Sequence, residues 1–185
     1  MIGPEGENLI FVVSQPRAGS TLLQRILGGH PQVHTTAEPW IMLHPLFGLK
    51  KSGIHAAYDH ALGRQALEDF CSTLPDGREA CLRAVRAMGL ELYNSALAGT
   101  GKSRFLDKTP RYYFILPELS EVFPRASLVL LFRNPLAVLS SILDSWLSWG
   151  KWWENEAIAQ YRYDLLEAPR RLIEGREALG GRAVT

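Results

Sequence analysis

The hydrophobic positions of this chain fall into two unbroken runs, separated by stretches in which apolar residues recur at helical spacing. The first run, Leu9 to Ser14 (LIFVVS), is apolar, β-branched and aromatic throughout, the pattern of a strand buried on both faces. Gln15-Pro16-Arg17-Ala18-Gly19-Ser20-Thr21 follows as a turn of Pro, Gly and small hydroxyl residues. From Leu22 the spacing is helical, with Leu22, Leu23, Ile26 and Leu27 on one side and Gln24 and Arg25 on the other, until Gly28-Gly29-His30-Pro31 stops it. The second run, Ser127 to Phe132 (SLVLLF), leads into Arg133-Asn134-Pro135, where Asn134 suits a helix cap and Pro135 the first helical position. That helix is expected to reach about Trp149.

Between the runs, Gln32 to Trp40 reads as an irregular segment carrying Glu38, and His44-Pro45 and Gly48 break any long element before residue 50. Helices are predicted over Ile54–Phe70 and Arg78–Leu97, joined by the turn Leu74-Pro75-Asp76-Gly77. The second carries the stripe Leu82, Val85, Met88, Leu92. A short strand from Arg104 ends in the polar loop Asp107-Lys108-Thr109-Pro110, and Tyr112–Val122 is helical in spacing with an interruption at Pro117. Glu154 to Leu179 is mostly helical, broken near Pro169, and Gly180-Gly181 turns into Arg182-Ala183-Val184-Thr185. Strands alternating with helices predict an α/β fold with a parallel sheet and a ligand at the C-terminal edge of its strands.

Composition narrows the function classes without choosing one. A chain of 185 residues, 46% hydrophobic and 21% charged, is sized for one domain over residues 1–185. Its 20 basic and 19 acidic residues leave a net charge of +1, which gives no global signal for nucleic acid or an acidic membrane surface. Any anion must therefore be held by local placement of Arg and Lys. No stretch approaches the ~20 apolar residues of a membrane span, and the start MIGPEGEN lacks a signal peptide's basic residues. The cytoplasm is the default location. Cys71 and Cys81 form neither a disulfide framework nor a metal pattern and are expected to be reduced. His30 and His34 are four apart but flank Pro31, so no metal site is expected.

A buried strand, a Gly-containing turn and a helix start together make an anion cradle, because free N–H groups and the positive end of the helix dipole converge there. Set against the Walker A pattern, Ser14 occupies the first Gly position, Ser20 the Lys position and Thr21 the hydroxyl position. The lysine that would reach a triphosphate is missing, and a cation, Arg17, lies inside the loop. SLVLLF ends in Arg133, where a magnesium-binding strand would end in an acid. Arg17, Lys108 and Arg133 each follow a predicted strand.

These residues resemble a known family, the sulfotransferases that use 3′-phosphoadenosine-5′-phosphosulfate (PAPS). Gln15-Pro16-Arg17-Ala18-Gly19-Ser20-Thr21-Leu22 is similar to their 5′-phosphosulfate loop, and Leu131-Phe132-Arg133-Asn134-Pro135 with Ser141 to their 3′-phosphate motif. His30-Pro31 and Asp107-Lys108-Thr109-Pro110 are also family-like. The resemblance covers about residues 8 to 150. It implies a three-layer, P-loop-NTPase-like parallel sheet with helices on both faces, PAPS as co-substrate, 3′-phosphoadenosine-5′-phosphate (PAP) as product and no metal. On that reading Arg17, Ala18, Gly19, Ser20 and Thr21 hold the 5′-phosphosulfate, and Arg133 and Ser141 the 3′-phosphate, with Ser140 and Ser145 as alternatives to Ser141.

The resemblance implies that Glu38 is the general base, as a Glu at the corresponding place is in the tyrosylprotein and carbohydrate branches; His34 and His44 are competitors, and a purely structural Glu38 is the remaining alternative. Lys108 is either a second catalytic cation or the ion-pair partner of Asp107 or Glu38. Arg111 either binds an acidic acceptor or is an exposed arginine at a helix start. Trp146, Trp149 and Trp153 share a helical face that is either a packing seam or, alternatively, an acceptor wall or a partner surface. Leu22 stands where the steroid and phenol branch often has Trp, which turns the acceptor reading toward carbohydrate, peptide or a specialised small molecule. An oligomer is left open. The family continues with another strand, helices and a basic loop over the nucleotide, so this chain is expected either to be truncated at Thr185 or to have that lid supplied by another chain. The competing readings are a P-loop nucleotide kinase and a non-catalytic remnant that binds a nucleotide or a partner.

Overall fold

The computed structural model describes residues 1–36, 38–39, 42–47, 49–50, 60–145 and 161–185. The LIFVVS run forms β1 (Leu9–Ser14), and the sheet is built outward from it in the order β2-β3-β1-β4-β5, with all four pairings parallel. Its members are β2 (Val33–Thr35), β3 (Arg104–Lys108), β4 (Ser127–Leu131) and β5 (Ala183–Val184). In register, β1 sets Phe11 beside Asp107 and Leu128, and Val12 beside Lys108 and Val129.

Because side chains alternate across a strand, β1 feeds two cores. Leu9, Phe11 and Val13 enter the larger one with Phe105, Leu128 and Leu130. Helices close it: α2 (Leu43–Phe47), α4 (Arg78–Leu97), α5 (Leu116–Val122) and α7 (Ala168–Leu179). Val12 faces the other way, against Val33 and Leu106, and α1 (Ser20–Gly28) covers that side with Leu23 and Leu27. The result is the parallel α/β fold expected from the alternation of strands and helices, with the helices on both faces that the family resemblance implied.

Several local expectations are corrected. Helix α1 does not present all four of its apolar residues to the core: Leu22 and Ile26 are 65% and 64% exposed, and Gln24 is turned inward instead. Its amide can be buried because Nε2 donates to Thr35 Oγ1 (2.8 Å) and the Thr36 carbonyl (2.5 Å). The segment read as irregular contains β2, three residues long and too short for a period to show. His44 and Pro45 lie inside α2 rather than only ending an element. Pro117 and Pro169 start helices instead of breaking them, each in the first turn, where a missing N–H costs nothing. Ahead of Pro169 the chain makes a π-helical turn, Tyr163–Glu167. A 3-10 turn, Pro110–Phe114, precedes α5.

The cysteines are also corrected. Helix α3 (His60–Ser72) and α4 fold back on each other through the Leu74–Gly77 turn, bringing Cys71 and Cys81 together, Cα atoms 6.6 Å apart, in a disulfide. Two cysteines ten residues apart carry no pairing signal of their own; the turn between them makes the bond. The predicted start of α3 falls on residues 51–59, outside the described residues. So do the Trp146, Trp149, Trp152 and Trp153 positions; α6 (Pro135–Ser145) is described up to Ser145. Among the described residues, no helix is long and apolar enough to cross a membrane.

Candidate functional site

At the C-terminal ends of β1, β3 and β4 lies a cavity of about 300 Å³ lined by Pro16, Arg17, Gly19, Ser20, Thr21, Glu38, Pro110, Arg111, Arg133 and Ser141. The chain runs from β1 out to β2 on one side, returns through β3, and crosses to β4 on the other. The crevice beside β1 is therefore a switch point, the place where open parallel sheets take ligands.

The loop after β1 makes its turn with two left-handed residues, Arg17 (φ 66) and Gly19 (φ 99). Gly19 caps α1 without a side-chain bond, and no acid lies in the first turn, so the helix start keeps its positive character toward the cavity. The Ala18 N–H is committed to the Gln15 carbonyl (3.2 Å), and Ala18 is buried off the cavity. The cradle is therefore shorter than the Ala18-to-Thr21 run read from the sequence.

Arg17, Arg133 and Ser141 meet directly. Arg17 Nε donates to Ser141 Oγ (3.1 Å) and Nη2 to Ser145 Oγ (2.6 Å), one turn further along α6. Arg133 Nη1 donates to the Arg17 carbonyl (2.6 Å), holding the left-handed turn from outside. Ser141 is thus joined by Ser145.

Glu38 enters the cavity from beyond β2, across β3 from the β1 loop, and Lys108 at the end of β3 pairs with it. Lys108 Nζ, in a side chain only 4% exposed, donates to Glu38 Oε1 at 2.5 Å, while Glu38 keeps 38% of its side chain exposed. Of the two alternatives for Lys108, the structure shows the pair with Glu38; the lysine is not itself a lining residue. His34 packs against the Phe105 ring, centroids 5.8 Å apart, and does not line the cavity. The side chain of His44 is outside the described residues.

Two buried carboxylates brace this part of the cavity. Asp107, fully buried, accepts from Tyr93 Oη (2.7 Å), Thr109 Oγ1 (2.8 Å) and Tyr112 Oη (2.9 Å). Burial pushes its carboxyl up to about 6, against the opposing pull of those three donors and of Lys108. Burial and the nearby Asp107 charge raise Tyr93 and Tyr112 as well. Tyr112 Oη also accepts from the Met42 N–H (3.2 Å), which ties the chain just beyond Glu38 to the end of β3. Asp164, in the π-helical turn, grips Arg111 along one edge, accepting from Nε (3.1 Å) and Nη2 (2.6 Å), and takes Tyr113 Oη at 2.7 Å. Its carbonyl accepts from Gln15 Nε2 (2.9 Å), at the entry to the loop. Burial would lower Arg111, but the bonds and charge of Asp164 outweigh it and hold the guanidinium above its ordinary value.

Sequence reasoning offered Ser145 only as an alternative to Ser141 and Gln15 only as the first residue of the loop, and it missed Asp164, which no local spacing marks. No group of His, Cys, Asp or Glu among the described residues is arranged to hold a metal ion.

Comparisons with known proteins agree on the kind of molecule. The sequence profile of the Sulfotransferase family matches residues 9–182. Nodulation protein NoeE of Sinorhizobium fredii is 34% identical over 139 residues, 75% of this chain and 32% of that protein. A putative protein-tyrosine sulfotransferase of Caenorhabditis briggsae is 29% identical over 138 residues, 75% of this chain and 44% of that one. The chain thus spans less than half the length of these curated relatives. Among solved structures, the sulfotransferase domain of the curacin biosynthetic pathway superposes with a TM-score of 0.57 at 18% identity, over 95% of this chain and 65% of that one. The sulfotransferase domain of the Synechococcus PCC 7002 olefin synthase gives 0.57 at 22% identity, over 95% and 64%. At these identities the structural likeness speaks for the fold.

Proposed function

Because the chain belongs to the sulfotransferase family, we propose that it moves a sulfuryl group from PAPS to an acceptor hydroxyl or amine. The observation that carries this reading is the convergence of Arg17, Ser20, Thr21, Glu38, Arg133 and Ser141 on one cavity from separate segments of the chain. A nucleotide with phosphates at both 3′ and 5′ needs two cationic clamps; a carboxylate in the same cavity suits an acceptor that must lose a proton.

The reaction is an in-line displacement at sulfur. As the acceptor oxygen bonds to sulfur, the bond from sulfur to the 5′-phosphate oxygen breaks and its electron pair stays on that oxygen, giving PAP. The acceptor proton passes to Glu38. Charge grows on the leaving phosphate, and donors fixed before the reaction stabilise it without reorganising. Ser20, Thr21, the start of α1 and Arg17 supply them. Arg133 and Ser141 hold the 3′-phosphate. Lys108 fixes Glu38 and adds positive charge behind the site. Cytoplasmic action on a small-molecule, carbohydrate or peptide acceptor completes the proposal; the name of the nematode relative supports a hydroxyl acceptor.

The test is titration with PAP and with PAPS by calorimetry. Micromolar binding that raises the melting temperature is expected, since a ligand of the native state stabilises it. Arg17→Ala and Arg133→Ala should each weaken binding by roughly 10- to 100-fold, the loss of a charged hydrogen bond. Unchanged affinity in both would overturn the assignment. Magnesium-dependent ATP binding in place of PAP binding would favour a kinase.

A further inference from the structure

An in-line transfer needs more than a base and a leaving-group cradle. The three oxygens that remain on sulfur spread out between the two, and they carry negative charge throughout the reaction. In this cavity Glu38 follows β2 and the Arg17 loop follows β1, two strands that β3 separates. Arg111 also lines the cavity, together with Glu38 and the loop after β1. Through Asp164, whose carbonyl takes the Gln15 amide, it is tied to the first residue of the loop.

Arg111 is also built to point in one direction. The Asp164 carboxylate, 3% exposed, occupies two of its donors along the Nε–Nη2 edge, and Tyr113 Oη fixes that carboxylate in turn. A guanidinium is a rigid planar fork with five donors, so gripping one edge sets the direction of the other. The grip comes from a π-helical turn, a rare element that recurs at functional sites. An ion pair serving stability alone would not need its arginine on a cavity wall.

We infer that Arg111, aimed by Asp164 from the π-helical turn, is a further catalytic residue that hydrogen-bonds the non-bridging oxygens of the group being transferred. This rests on the sulfuryl-transfer reading above. Asp164 is the positioning residue: it touches no substrate and acts through Arg111.

PAP and PAPS separate this role from every other, because they differ only by the sulfuryl group. Calorimetric titration of both ligands, without acceptor, is carried out on the wild-type chain, Arg111→Gln, Arg111→Lys and Asp164→Asn. Arg111→Gln is expected to bind PAP within about twofold of wild type and PAPS roughly 10- to 100-fold more weakly. Arg111→Lys keeps the charge but not the fork and should fall between. Asp164→Asn should show the same PAPS-selective loss in smaller measure, which a purely structural bond would not produce. Retained PAP binding is the control for folding. If Arg111→Gln loses PAP as well, Arg111→Lys decides: a selective loss for PAPS supports the inference, and an equal change for both ligands overturns it. If wild type binds both ligands and no variant distinguishes them, the inference fails while the donor site stands. If wild type binds neither, the donor reading fails and the inference with it.

Discussion

Arg17 holds its backbone at φ 66, a region that costs an L-residue about 1 kcal/mol or more and costs glycine little. The chain keeps a strained arginine there although Gly19, two residues on, shows the turn accepts glycine. The side chain is what the strain secures. Arg17→Gly and Arg17→Ala should therefore lose PAP binding alike, yet the glycine variant should be more stable than the alanine variant by about 1 kcal/mol in urea denaturation. Equal stabilities would mean that the turn is not strained. Asp107 gives the second prediction at this scale. Its folded-state value of about 6 lies above the 3.8 of a free Asp, so the folded protein holds the extra proton between those values. Stability should therefore fall as pH rises from about 4 to 6, by on the order of 3 kcal/mol. Asp107→Asn should flatten that part of the profile; an unchanged slope would assign it to another group. That Arg17 and Arg133 reach the cavity was legible because each follows a run of strand residues, whereas Glu38 was singled out only through the family resemblance. Asp164 was not. Its partners Arg111 and Gln15 lie 53 and 149 residues away, and no local period records such a pairing.

Elements were readable in proportion to their length and apolar content. β1, β4 and α4 carry enough residues for period and composition to agree. β2 has three, and its place is set by pairing with β3 rather than by its own sequence. The misplaced face of α1 has a different cause: four apolar residues in a nine-residue helix outnumber the two that the sheet can cover, and Gln24 found partners at the end of β2. The disulfide between α3 and α4 belongs to this scale. Closing so short a loop restricts the unfolded chain by about 2–3 kcal/mol, and none of its residues lines the candidate site. Cys71→Ser with Cys81→Ser should lower stability by that amount and leave PAP affinity unchanged. A fall in affinity would show that α3 and α4 support the site. Disulfides persist in oxidising compartments, so thiol counting on natively isolated protein also tests the cytoplasmic placement. On α7, Gly175 lies so close to Leu116 that an added Cβ would collide with it. Gly175→Ala should cost about 1–3 kcal/mol in thermal denaturation, the range for overpacking; a neutral effect would mean that Leu116 has room to move aside.

The whole molecule is held by a sheet whose central strand is made first and completed late. Leu9 pairs with Phe105, Ile10 with Ser127, and Leu128 with Ala183. A chain ended after Ala126 would keep β1 and α1 but lack the partner on one side of the central strand. It should fail to fold, with broad amide signals and rapid proteolysis; a protected fragment would locate the folding unit in the first half. The same pairing sets a timetable for biosynthesis. At 5–20 residues per second, β1 leaves the ribosome roughly 6 to 24 s before β4 follows it. For that interval β1, with Phe11, Val12 and Val13, is a nascent strand that lacks its β4 neighbour, and for most of it β3 as well. Translation speed and chaperone occupancy over the first hundred residues then decide the yield of folded protein, long before the site has a substrate to meet.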